Sequence, residues 1–132
     1  MARIVVIEDN ADNLALMVYL LEAFGHTVVT AVDGAEGLAA VPREMPDLVL
    51  CDLHLPGIDG YEVGRRLKAD PAVQRIPLVA VTASAMAGDR ARGLAAGFDG
   101  YIAKPIDPER FVPQIERFLP DTLGGPAGAR AE

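Results

Sequence analysis

Cysteine is almost missing: Cys51 is the single one in 132 residues, which excludes an internal disulfide framework. No apolar run reaches the roughly 18 residues of a membrane span. The N-terminus also lacks a basic segment leading into an apolar stretch and a cleavage site. These absences together point to the reducing cytosol. Basic excess is lacking as well, with 12 Lys and Arg scattered among 19 Asp and Glu and a formal net charge of −7. A chain without a cationic footprint is not built to bind nucleic acid directly, and an anionic membrane surface repels it. No internal repeat, second domain or interdomain linker is visible. What is abundant is apolar side chain, 51% of the total, enough to build the core of one domain.

The apolar residues fall into an alternating pattern. Ile4-Val5-Val6-Ile7 is short, continuous and β-branched, as in a strand covered on both faces. Residues 11–24 place Leu14, Met17, Val18, Leu21 and Phe24 on one helical face, with Gly25 as the stop. A strand over 26–31 and a helix over 35–41, ending before Pro42, come next. A strand over 48–52, a helix over 61–68, a strand over 78–82, a helix over about 86–96 and a strand over 100–103 follow. Asp107 is expected to cap a last helix with Pro108 in its first turn, and Phe111, Ile115, Phe118 and Leu119 form its apolar stripe. Five strand–helix pairs imply an α/β fold, a parallel sheet with helices on both faces. A domain over 1–119 is expected, with an unstructured tail over 120–132, "PDTLGGPAGARAE".

Polar groups recur where these strands end: Glu8 and Asp9 at the first, Asp52 at the end of the third, Thr82 at the end of the fourth, Lys104 at the fifth. In open α/β sheets that edge is where ligands bind. A lone buried charge is costly, and three carboxylates gathered there raise one another's pKa unless a cation neutralises them. A set of oxygen ligands points to a hard metal. Mg²⁺ fits best, since it takes one or two carboxylates and keeps room for water and a phosphate oxygen. A carboxylate beside such an ion can act as a nucleophile and form an acyl phosphate, which makes Asp52 the expected phosphoryl acceptor.

Four motifs, "EDN" at 8–10, "DLHLPGIDG" at 52–60, "VTA" at 81–83 and "KP" at 104–105, occur in an order and spacing that resemble the receiver domain of two-component response regulators. Within that family the stretches "EDNADN" and "VTASAMAGDR" resemble stand-alone receivers of the DivK type and the receiver modules of hybrid kinases. The resemblance covers about residues 2–119. It implies a flavodoxin-like (βα)5 sheet of strand order 2-1-3-4-5. It also implies phosphorylation of Asp52 by a histidine kinase or phosphotransfer protein, with Glu8, Asp9, Asp52 and the backbone carbonyl of His54 around Mg²⁺. Thr82 and Lys104 then hold the phosphoryl oxygens, and Tyr101 is an aromatic switch residue. The Lys104–Pro105 bond is expected to be cis. A downstream protein partner reads the face made by the fourth helix, fifth strand and fifth helix. Glu8 departs from the family's usual pair of aspartates, which implies an altered metal affinity.

Plainer roles exist for these residues. Glu8 or Asp9 could cap the following helix, Thr82 could be an ordinary strand residue, Lys104 a solvated lysine and Tyr101 edge packing. Cys51 is expected in the core and His26 in solvent. Asn10 and Asn13 are expected to tie down the first loop and helix start, and Met86 and Leu94 to anchor the fourth helix. Three functions compete: a stand-alone receiver that acts on no substrate but itself, a phosphatase of the haloacid-dehalogenase class, and a binding module that has lost phosphorylation. The phosphatase reading wants an aspartate two residues after the nucleophile, where this chain has His54. A receiver module cut from a hybrid kinase or longer regulator is the alternative within the first reading.

Overall fold

A computed structural model describes residues 1–83 and 87–120. Five parallel strands, β1 (Arg3–Ile7), β2 (Thr27–Ala31), β3 (Leu48–Cys51), β4 (Leu78–Thr82) and β5 (Gly100–Ala103), pair in the order β2-β1-β3-β4-β5. This is the flavodoxin-like order implied by the motifs. Between and after them run α1 (Ala11–Ala23), α2 (Gly34–Glu44), α3 (Gly60–Ala69), α4 (Ala87–Ala95) and α5 (Phe111–Glu116). The expected tail lies, apart from Pro120, outside the described residues, as does Met86.

The unbroken apolar strands follow from having helices on both faces. Side chains alternate across a strand. Ile4, Val6, Leu48, Leu50, Val79 and Val81 therefore pack toward Met17, Leu21, Phe111 and Ile115 of α1 and α5. Their neighbours Val5, Ile7, Val49, Cys51 and Ala80 pack toward Val41, Val63 and Leu67 of α2 and α3. Each fully buried large side chain contributes about 1.5–3 kcal/mol, so both layers are needed. Gly100 leaves room for the half-buried Phe118 ring that packs against the α1/α5 layer: a Cβ there would lie 2.1 Å from Cζ of Phe118.

Several expectations are corrected. Helix α2 does not stop before Pro42 but runs through it to Glu44 and ends on Met45, whose φ is 46°. Pro42 is exposed and removes a single ladder bond, while buried Ala40 and Val41 hold the helix to the sheet. The last helix begins at Phe111, and its N-cap Arg110 makes no side-chain capping bond. Asp107 instead caps the preceding turn, its Oδ1 accepting the Glu109 N–H at 2.9 Å. Pro113 lacks the N–H that would bond the Glu109 carbonyl, so the regular ladder starts late. Phe24 and Leu94, expected to anchor their helices, are 55% and 68% exposed.

His26, expected in solvent, is buried. Its Nδ1 accepts the Ala2 N–H at 3.0 Å, which leaves the proton on Nε2, 2.9 Å from Oε2 of Glu116. The ring thus joins β1, β2 and α5 at the edge of the sheet where the strands begin. Replacing it in His26→Ala strands a buried N–H, and thermal denaturation should show a loss of about 1–3 kcal/mol. An unchanged melting temperature would mean the ring is not what satisfies Ala2.

Candidate functional site

The site lies at the edge where β1, β3, β4 and β5 end. Backbone pairing carries the chain just past each strand: the Glu8 N–H donates to the Ala31 carbonyl and the Asp52 N–H to the Ile7 carbonyl. Both side chains are thereby pinned over the sheet, and Glu8 is only 1% exposed. Asn10, not Glu8 or Asp9, caps α1, accepting the Asn13 N–H on its side chain. Glu8 and Asp9 are thus not engaged as helix caps. Glu8 Oε2 accepts the Asn10 N–H at 3.1 Å, so the cap loop also orients the carboxylate.

Asp52 is buried. Its Oδ1 accepts the His54 N–H at 3.0 Å and its Oδ2 accepts from Lys104 Nζ at 2.9 Å. The loop after it is clamped by Gly60, whose N–H donates to the Leu53 carbonyl. A Cβ on Gly60 would fall 2.2 Å from the Asp52 carbonyl oxygen, so only glycine lets α3 start so close behind the carboxylate. Lys104 reaches the site from the end of β5, its own N–H paired with the Thr82 carbonyl and its bond to Pro105 cis. Thr82 is fully buried.

One carboxylate oxygen each of Glu8, Asp9 and Asp52 lies within 4.8 Å of the others. Lys104 Nζ stands 2.8 Å from Oε1 of Glu8, yet that buried oxygen has no directed hydrogen bond; the contact is ionic and off-angle. Burial pushes the Glu8 carboxyl up, and the Asp52 charge adds to it, while Lys104 and the Asn10 N–H pull it down without compensating. Burial lowers the Lys104 pKa, but the contacting Glu8 and Asp52 carboxylates outweigh it and the net shift is upward. One ammonium among three carboxylates leaves an excess of negative charge, and an oxygen-only set with one undirected buried oxygen fits a hard divalent cation.

All the residues singled out in the sequence as lining this edge are at it or on its rim. His54 is exposed beside Asp52. Tyr101 is half-buried on β5, with the Arg90 guanidinium 5.1 Å over its ring. Cys51 is fully buried on the other face of β3, where burial pushes its thiol far above the ordinary range; it is core and chemically inert. What sequence alone missed is Tyr61, which reaches α4 from the first turn of α3. Its contacts join residues 28 or more positions apart and leave no local pattern.

Comparison with known proteins bears on this geometry. The family model for the response regulator receiver domain matches residues 4–116. The response regulator PleD of Caulobacter vibrioides is 43% identical over 80% of this chain, but the chain spans only 23% of that protein's length. The polar-differentiation response regulator DivK of Brucella anthropi is 40% identical over 89% of this chain and 96% of its own. The receiver domain of the sensor histidine kinase PA1611 from Pseudomonas aeruginosa, which carries a magnesium ion coordinated in its active site cleft, superposes with a TM-score of 0.82. It is 32% identical over 89% of this chain and 96% of its own. These matches set aside the haloacid-dehalogenase reading. With its strand order, its carboxylate cluster and a family match over nearly the whole described chain, this protein belongs to the response regulator receiver domains of two-component signalling.

Proposed function

We propose that Asp52 accepts a phosphoryl group from a histidine kinase or histidine phosphotransfer protein, and that the chain works in the cytoplasm as a stand-alone receiver. The observation that carries this reading is the buried Asp52 carboxylate, held by Lys104 and the His54 N–H with Glu8 and Asp9 beside it. DivK, matched over almost its full length, favours the stand-alone role, and PleD, matched over part of its length, favours a module of a longer regulator.

In the transfer a carboxylate oxygen of Asp52 attacks phosphorus, the P–N bond of the phosphohistidine breaks, and its electron pair stays on the imidazole nitrogen. Glu8, Asp9, Asp52 and the backbone carbonyl of His54 would hold Mg²⁺. When bound, that ion neutralises charge developing on the transferring oxygens. Lys104 Nζ, already 2.9 Å from Asp52 Oδ2, is placed to follow a phosphoryl oxygen, and the Thr82 hydroxyl donates to another. Exposed Asp9 and His54 leave the cleft open on the side from which a donor approaches. The chain catalyses only its own phosphorylation and dephosphorylation. Inward movement of Thr82 lets Tyr101 follow it, and a downstream protein reads the altered face of α4, β5 and α5.

Calorimetric titration with Mg²⁺ tests the metal side of this reading. Asp9→Ala should weaken binding at least about tenfold, while Glu8→Asp, which only shortens the side chain, should change affinity and keep labelling. An unchanged titration in Asp9→Ala would place the metal elsewhere.

A further inference from the structure

Helix α4 is held in an unusual way. Leu94, its one large described apolar side chain, is 68% exposed. Among the described residues of the helix only Gly93 is buried, and a Cβ added there would lie 3.8 Å from the Tyr101 ring. Gly88 and Gly93 further lower its intrinsic stability. Burial of apolar side chains therefore does not explain why α4 stays where it is.

Two tyrosines do. On one side the Arg90 guanidinium lies 5.1 Å over the ring of Tyr101 on β5. On the other the Arg92 guanidinium lies 4.0 Å over the ring of Tyr61 on α3, while the Tyr61 hydroxyl lies 3.3 Å from Oδ1 of Asp89. Tyr61 thus grips α4 at two points one turn apart, residues 89 and 92. Its phenol is pushed up first by burial and then by the Asp89 charge, so the hydroxyl stays a donor.

The two tyrosines differ in what holds them. Tyr61 is 2% exposed and follows Gly60, which is jammed against the Asp52 carbonyl. Its backbone is therefore fixed to the loop that carries the acceptor. Tyr101 is half-buried at the edge strand of the sheet and, with Arg90 and Leu94, lines a cavity of about 260 Å³.

We infer that Tyr61 is the pivot of α4: the Tyr61 clasp keeps the helix attached in both states, and the Arg90–Tyr101 contact is the one that releases. The inference rests on the receiver reading for what triggers release, but the clasp itself is a property of the unmodified chain. Tyr61 is a positioning residue that acts through Asp89 and Arg92 without touching the phosphoryl group.

Hydrogen exchange of residues 87–95 tests it, with and without beryllium trifluoride and Mg²⁺ as a phosphoryl mimic. In the unmodified chain Tyr61→Phe, which keeps the ring under Arg92, should speed exchange about two- to fivefold. Tyr61→Leu, which loses ring and hydroxyl, should speed it roughly tenfold. Arg92→Ala, at an exposed position that leaves the core intact, should fall between them and add nothing further in the Tyr61→Leu background. Arg90→Ala should instead bring exchange near that of the mimic-bound chain and blunt the response to the mimic. Equal exchange in wild type, Tyr61→Leu and Arg92→Ala would overturn the proposal, as would additive effects of the last two. Intact-mass labelling of each variant with acetyl phosphate reports on Asp52 separately. Failure to label with a normal clasp signature therefore counts against the phosphorylation reading alone.

Discussion

Asp52→Asn abolishes phosphoryl incorporation. Wild-type chain treated with acetyl phosphate and Mg²⁺ gains the mass of one phosphoryl group, and the variant gains none. The amide keeps an oxygen that can accept the His54 N–H and so preserves the loop. It has no negative charge and no nucleophilic carboxylate pair. The loss is therefore chemical and not a consequence of unfolding, and an unchanged melting curve separates the two. EDTA should suppress wild-type labelling, because among the described residues Lys104 is the one cation paired with this group of three carboxylates. Equal labelling of variant and wild type would remove Asp52 from the mechanism.

Lys104→Met carries the largest expected change in stability. It removes the ammonium contacting both Glu8 Oε1 and Asp52 Oδ2 and leaves buried carboxylates uncompensated. Breaking such a pair from one side costs about 3 kcal/mol, to be read from urea unfolding in EDTA at neutral pH. The sign with pH follows from Glu8. Its folded pKa already lies above the ordinary carboxylate value because of burial, and it rises further once Lys104 is gone. Below the unfolded value of about 4.3, Glu8 is protonated in both states and imposes no penalty. As pH climbs from there through the raised folded value, the variant loses stability progressively. Its deficit should thus be smallest below the unfolded carboxylate value and grow as pH rises through the raised folded one. On the basic side the wild type's advantage persists below the unfolded lysine value of about 10.4 and fades as pH passes the raised folded value of Lys104. A deficit independent of pH would mean that packing, and not charge, is what Lys104 supplies.

The sheet and its functional edge were legible because both rest on local signals. Short β-branched runs such as Ile4–Ile7 fix the strands, and the residue after each run lands at the carboxyl edge by chain geometry alone. Errors arose where tertiary surroundings decide. The periodicity of α1 names a face but not where the sheet beneath it stops, so Phe24 overshoots into solvent. Pro42 reads as a helix stop, yet an exposed proline gives up one bond and the buried Ala40–Val41 pair keeps the helix in place. His26 has its partners 24 and 90 residues away, and no local pattern announces them. Leu94 looked like an anchor on composition, whereas the helix is clasped through Asp89, Arg90 and Arg92 by tyrosines from two other elements.

Of the three clustered carboxylates, Asp52 is the one expected to carry the phosphoryl group. An acyl phosphate is open to borohydride, which reduces an aspartyl phosphate to homoserine. Phosphorylated chain should therefore be reduced, digested and sequenced by tandem mass spectrometry. Homoserine is expected at position 52, with unmodified side chains at Glu8, Asp9 and His54. Reduction at Glu8 or Asp9, or a phosphoryl group on His54 with Asp52 intact, would contradict it.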